Sequence, residues 1–172
     1  IEEYVMKFLD IDQRNVSDNV VKLLYLEEKI QIDIQYDDFP FPIRFNGTID
    51  RVEQRGEDIY IVDYKSGIVE KGQVALNEKK WENLIQDYEY SKAFQLLMYA
   101  YLLFKTGMIG MDKRVYVGNY SFRRLKLGFI GFRNGKDKDI SPVDTDVRTA
   151  FEQKLLQLLK EIYDPSLPFV EK

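Results

Sequence analysis

The feature that most constrains this chain is a pair of extended segments, Ile43 to Gln54 and Asp58 to Lys65, separated by Gly56-Glu57. Glycine at the first central position suits a two-residue type II′ turn, which is favoured in antiparallel hairpins. A four-residue loop from Arg55 to Asp58 gives the same register. Extended along both strands, that register sets Asp50 opposite Asp63. Opposed residues share a sheet face, with Cβ atoms about 4.5–5.5 Å apart. Lys65 returns to that face about 6.6 Å further along the strand, with Ile59 and Ile61 behind it. Two opposed carboxylates repel unless something neutralises them, and a divalent cation is the natural remedy. The register therefore predicts a metal site rooted in apolar surroundings. A second reading stays open, with Asp50-Arg51 a solvated pair near a strand end and Asp63 a turn residue ahead of Ser66-Gly67.

The rest of the chain frames this hairpin. Val16, Val20, Leu23 and Leu24 have helical spacing, and the period then changes to two at Ile30, Ile32, Ile34 and Tyr36. A turn region runs from Asp37 to Pro42. Ser66 to Tyr90 reads as a long loop with some helix around Trp81 to Ile85. Ser91 offers an N-cap for an apolar helix running to about Thr106, with Gly107 as its stop. Strands follow near Arg114–Phe122 and Lys126–Phe132, and Asn134-Gly135 begins a polar loop. A last helix from Asp144 to Tyr163 carries Val147, Phe151, Leu155, Leu158 and Ile162 on one face. The order of helix, three strands, helix, two strands, helix predicts an α/β or α+β domain with a mixed sheet.

At 172 residues, 45% hydrophobic and 31% charged, the chain fits a single domain with one core. No apolar run approaches the roughly 20 residues of a membrane helix, and nothing resembles a signal peptide. An opening at Ile1 rather than Met reads as a piece of a longer protein. Cysteine and histidine are both absent, which excludes disulfides, cysteine-based zinc or iron–sulfur sites and histidine catalysis within this piece. A metal here must be held by oxygen, which favours Mg²⁺ or Mn²⁺. The lack of disulfides fits a cytoplasmic setting. A net charge of −4 counts against tight autonomous binding to nucleic acid, and does not count against an acidic site fed by other domains.

Asp50 followed by Asp63-Tyr64-Lys65 resembles the PD-(D/E)xK nuclease signature, an acidic residue and then (D/E)-x-K on the next strand. The longer strings Gly47-Thr-Ile-Asp-Arg-Val-Glu53 and Ile61-Val-Asp-Tyr-Lys-Ser-Gly67 are similar to the RecB/AddB-type form of that signature. Gln95-Leu-Leu-Met-Tyr99 resembles the Q-x-x-x-Y motif of the same branch. The resemblance implies a restriction-endonuclease-like core, a mixed β-sheet flanked by helices, in one domain over residues 1–172. Relatives usually carry a further ligand, His or Glu, on a helix before the strands. This chain has no His, and Glu27 and Glu28 are the nearest candidates. Asp164-Pro-Ser-Leu-Pro-Phe169 resembles the segment that precedes an iron–sulfur cysteine cluster in many relatives, and no such cysteine follows within this chain.

The resemblance also implies the chemistry, phosphodiester hydrolysis assisted by Mg²⁺ or Mn²⁺. Asp50, Asp63 and the Tyr64 backbone carbonyl would be ligands, while Lys65 would orient the attacking water and stabilise charge on the phosphate. Gln95 and Tyr99, four apart on one helical face, would border the site and contact phosphate or DNA backbone. Taken without the hairpin, the same helix reads as simply buried. Arg51, Arg123, Arg124 and Lys126 are candidates for phosphate contacts. Tyr116, Tyr120 and Phe122 alternate along a strand, the pattern of packing rather than base stacking. The implied protein is an exonuclease or helicase-coupled nuclease acting in DNA repair or recombination, with DNA as substrate, a helicase or helicase-like region as partner and no membrane. Two rival readings are a catalytically silent DNA-binding module of the same fold and an interaction domain whose motif is coincidental.

Overall fold

The computed structural model describes residues 2–18, 20–135 and 139–168. The chain runs α1 (Glu2–Asp18), β1 (Val21–Ile34), β2 (Ile43–Arg55), β3 (Asp58–Lys65), β4 (Ala75–Leu76), α2 (Glu78–Glu82), α3 (Ser91–Lys105), β5 (Val115–Ser121), β6 (Ile130–Gly131), β7 (Arg133–Asn134) and α4 (Thr145–Tyr163). A five-stranded sheet takes the order β1-β2-β3-β5-β6, in which only the β3–β5 pair is parallel. β4 and β7 form a separate two-stranded parallel pair. The expected mixed α/β architecture, a sheet flanked by helices, is the one observed. No helix among the described residues is long and apolar enough to cross a membrane.

The hairpin forms as its turn chemistry dictates. Arg55 pairs with Asp58, and Gly56 takes a left-handed φ of 60° while Glu57 does not, the type II′ pattern. Valines and isoleucines from the sheet (Ile49, Val52, Ile61, Val115, Val117) meet Leu96, Leu97, Leu103, Phe151 and Leu155 of α3 and α4 in one buried core. On the opposite face α1 lays Phe8 edge-on against Tyr64, Tyr120 and Phe122, with ring centroids 5.2, 5.5 and 5.7 Å away.

Five sequence expectations shift. The first helix ends at Asp18, and Leu23 and Leu24 belong to β1, which pairs along nearly the whole of β2 with a bulge at Leu24. A short run of consecutive apolar residues does not distinguish helix from strand; here the otherwise open edge of β2 supplies partners and the strand wins. The short helix expected at Trp81–Ile85 lies earlier, at Glu78–Glu82, because the Asn77 side chain caps it by accepting the Lys80 N–H at 3.1 Å. The strand expected at Lys126–Phe132 shrinks to Ile130–Gly131, since Phe122–Leu127 winds into a 3₁₀ turn that ends at Gly128. Gly118 and Gly131 pair here with no room for a side chain, as a Cβ on Gly118 would come within 2.6 Å of the Phe129 ring. On α4 the buried stripe is Val147, Phe151, Leu155 and Leu159; Ile162 is exposed. Ser91 is the first residue of α3 rather than its cap, a position Tyr90 holds. Part of the polar loop after Gly135, and Phe169 at the end of the Asp164–Phe169 segment, lie outside the described residues.

Candidate active site

Because β3 and β5 are parallel neighbours, the chain between them must return along the sheet, and α3 is the returning helix. Asp63 sits beside Asn119 and Lys65 beside Ser121 at the carboxyl ends of these two strands. Ligands in open α/β sheets bind at that end. α3 brings Gln95 and Tyr99 to the same place.

These side chains close a ring. The Lys65 ammonium lies 2.9 Å from one Asp63 oxygen and 3.2 Å from the other, and it donates to Gln95 Oε1 at 2.7 Å. The Gln95 amide donates to the Tyr99 hydroxyl at 2.6 Å, and that hydroxyl stands 3.5 Å from Asp63 Oδ1. Asn119 Nδ2 donates to Asp63 Oδ2 at 2.8 Å. Asp63 is only 2% exposed. Burial pushes its carboxyl above the usual range; Lys65 and Asn119 oppose that, and the charge on Asp50 adds to it. Burial and the charge on Asp63 push the Tyr99 phenol up to about 12, so at neutral pH it keeps its proton.

Asp50 is held differently. Its Oδ2 accepts the Tyr64 backbone N–H at 2.7 Å. The β2–β3 ladder keeps the expected register but ends at Arg51↔Val62, one step short of an Asp50–Asp63 pair. The cause is a change of face in β2. Phe45 meets Tyr101 of α3, and a Cβ on Gly47 would lie 3.8 Å from Leu102 of α3, so odd-numbered residues point to α3 there. Further on, Arg51 pairs with Asp12 of α1, so the even-numbered Val52 points to α3. Asp50 occupies this switch, and on β1 the facing position is Glu27, with a left-handed φ of 47°. The switch turns the Asp50 carboxylate onto the backbone of β3.

The donor set fits a hard divalent cation in part. Asp50 and Asp63 offer oxygen donors, the charge on Asp50 bearing on Asp63, and the buried Asn119 Oδ1 beside them has no partner among the described residues. Mg²⁺ takes one or two carboxylates and draws its remaining ligands from water and phosphate. No group of three acidic or other metal-ligating side chains is assembled among the described residues. Glu27 and Glu28 therefore do not complete such a group.

The structure thus brings Asp50, Asp63, Lys65, Gln95 and Tyr99 together. The Tyr64 side chain points the other way, its hydroxyl accepting from Arg51 at 3.2 Å under α1. Arg51 is withdrawn from phosphate contact, since it is nearly buried and ion-paired with Asp12 and Glu53. Arg124 is tied to Glu70 at 2.8 Å, while Arg123 and Lys126 are exposed. Tyr116 stacks on Tyr60 at 5.1 Å and Tyr120 is buried, as packing residues would be. Sequence reasoning missed Asn119. The signal was present in Val115, Val117 and Asn119, which alternate along one face of a strand; a polar residue on such a face needs a partner.

No curated protein and no solved structure matches the chain. The model of the PD-(D/E)XK nuclease superfamily matches it over residues 1–172. With two aspartates and a lysine at the carboxyl end of the central hairpin and a mixed sheet behind them, the chain belongs to the PD-(D/E)XK nuclease superfamily.

Proposed function

We propose that the chain is the nuclease domain of a RecB/AddB-type DNA-processing protein, one domain over residues 1–172 that hydrolyses phosphodiester bonds at DNA ends in repair or recombination. The observation that carries this reading is the closed ring Asp63–Lys65–Gln95–Tyr99 beside Asp50. Asp50, Asp63 and the Tyr64 carbonyl would hold Mg²⁺ or Mn²⁺, which when bound polarises the phosphate and makes water a better nucleophile. Lys65 holds a positive charge where the phosphoryl oxygens gain negative charge. Gln95 fixes the ammonium, and Tyr99 fixes Gln95 and offers its proton toward Asp63. Burial at Asp63 keeps bulk water from screening these charges. The natural partner is a helicase or helicase-like region that delivers the strand to the site, in a cytoplasmic setting.

Two assays test this. End-labelled linear DNA incubated with Mg²⁺ or Mn²⁺ is expected to be degraded from its ends, and covalently closed circular DNA to survive. Millimolar Mn²⁺ is expected to raise the melting temperature as RT ln(1 + [L]/Kd) requires, and Asp63→Asn to reduce that rise. The absence of a three-ligand group among the described residues favours one second reading, a catalytically silent DNA-guiding module. In that case DNA binds and no cleavage follows at any divalent concentration.

A further inference from the structure

Just past the carboxyl ends of β3 and β5 the surface opens into a cleft of about 380 Å³ lined by Tyr4, Val5, Ser66, Phe122 and Arg123. Ser66 directly follows Lys65, and Phe122 directly follows Ser121, the strand partner of Lys65. Successive strand residues point to opposite faces, so the cleft lies at the same end of the sheet as Lys65 but on the α1 face. Its walls are aromatic and aliphatic, and Tyr4 and Val5 are 47% and 42% exposed. Among the described residues Arg123 has no ion pair or hydrogen bond. A second groove alongside, between α1 and the Phe122–Leu127 turn, carries Lys7, Arg14 and Lys126 with Asp10, and Lys7 is ion-paired with Glu3 at 2.6 Å. This surface gathers cations on a chain whose net charge is −4.

An apolar slot with aromatic walls, a guanidinium at its rim that has no partner among the described residues, and a basic track beside it match one ligand chemistry, an unpaired nucleobase on a phosphate backbone. A base within a duplex is stacked on both sides and cannot enter such a slot without being unpaired. We propose that the Tyr4–Phe122–Arg123 cleft is a base-holding subsite that receives a nucleotide of the strand where it passes round the end of the sheet from the nuclease site, so that the strand is single-stranded there. Tyr4 and Phe122 give the base its aromatic contacts, Arg123 takes the adjoining phosphate, and Lys7, Arg14 and Lys126 track the strand beyond. The subsite rests on the nuclease reading for its substrate, and it is tested by binding alone.

The test uses fluorescein-labelled single-stranded oligo(dT), the same strand with abasic sites, and a blunt duplex, all without divalent ions so that nothing is cleaved. Tyr4→Ala, at an exposed position, is expected to keep its melting temperature and to bind oligo(dT) roughly 5- to 150-fold more weakly. The abasic strand is expected to bind wild type and Tyr4→Ala alike, and the duplex to bind more weakly than the based strand. Arg123→Ala is expected to lower the slope of log affinity against log salt by about 0.7. Oligo(dT) binding that is unchanged in both variants, or equal wild-type affinity for based and abasic strands, would overturn the subsite; a cleft that serves a protein partner gives that result. Mg²⁺-dependent cleavage by wild type is scored separately. Cleavage without base dependence removes the subsite and leaves the nuclease reading, and base dependence without cleavage does the reverse.

Discussion

The two faces of the β2–β3 hairpin both bury charge, with different balances. On the α1 face, Glu53 lies between the guanidinium groups of Arg51 and Arg55, each 2.5 Å away, and Asp12 and the Tyr64 hydroxyl close around Arg51. Two cations meet two acids there, and Phe8 of α1 packs on Tyr64 beside them. On the α3 face, the ammonium of Lys65, 26% exposed at the open end of the strands, pairs with Asp63, while the charge on Asp50 also bears on Asp63 and has no ammonium of its own among the described residues. Buried charge by itself does not mark function, since ion pairs that complete one another are structural. An uncancelled acid at a ligand-accessible strand end does mark it, because the missing positive charge must come from a bound group.

The largest stability effect belongs on the balanced face. Glu53→Ala removes the acid between two largely buried guanidinium groups, leaving Arg55 without an ion pair and Arg51 with Asp12 alone among the described residues, and is expected to destabilise the fold by about 3–5 kcal/mol, read as a lower urea midpoint with cleavage per folded molecule unchanged. A variant as stable as wild type would erase the distinction between the faces. Next comes the unbalanced face. Tyr99→Phe frees the Gln95 amide and is expected to lower activity or metal affinity by about 10- to 100-fold, with little change in melting temperature. Wild-type cleavage by that variant would detach Tyr99 from the site.

The smallest effect is a pH dependence away from both charge clusters. The Tyr36 and Tyr101 hydroxyls meet at 2.5 Å, with Glu152 3.1 Å from Tyr101. Burial raises both phenols above their ordinary value. The unfolded chain releases those protons near pH 10 and the folded one holds them. Their stabilisation is therefore full below about pH 10 and is lost as pH rises toward the folded values. Urea midpoints measured from about pH 9 to 11 are expected to fall, and to fall less steeply in Tyr101→Phe. An equal slope in the two proteins would dissociate the pair from alkaline stability.

How far the sequence carries can be read from single residues. The hairpin register was legible because Gly56 permits one compact turn and β alternation propagates it. α3 was legible because Gly107, at a φ of 71°, ends it where a left-handed residue is needed. The meeting of Asp63 with Gln95 and Tyr99 depended on the parallel β3–β5 crossover, and the motif resemblance rather than periodicity suggested it. What escaped were features set by tertiary packing. Arg51 has the same local sequence whether solvated or buried, and only the arrival of α1 decides. The switch of face at Asp50 depends on Glu27, far off in sequence, taking a left-handed conformation that nothing in the local pattern announces. Asn119 joined the site because its strand lies parallel to β3, a neighbour that alternation alone does not name.

The central claim is that the α3 face is a hydrolytic site in which Lys65 acts on the phosphate and the aspartates hold the cation. The most direct measurement compares Lys65→Ala and Asp50→Ala with wild type in Mg²⁺-dependent cleavage of linear DNA and, in parallel, in the shift of melting temperature by Mn²⁺. An ammonium cannot ligate a cation, and Lys65 now occupies the Asp63 oxygens that a cation would take. Lys65→Ala is therefore expected to lose at least about 10²-fold in cleavage rate while its Mn²⁺ shift stays at or above the wild-type value. Asp50→Ala is expected to lose cleavage and shift together. Near-normal cleavage by Lys65→Ala would contradict the account.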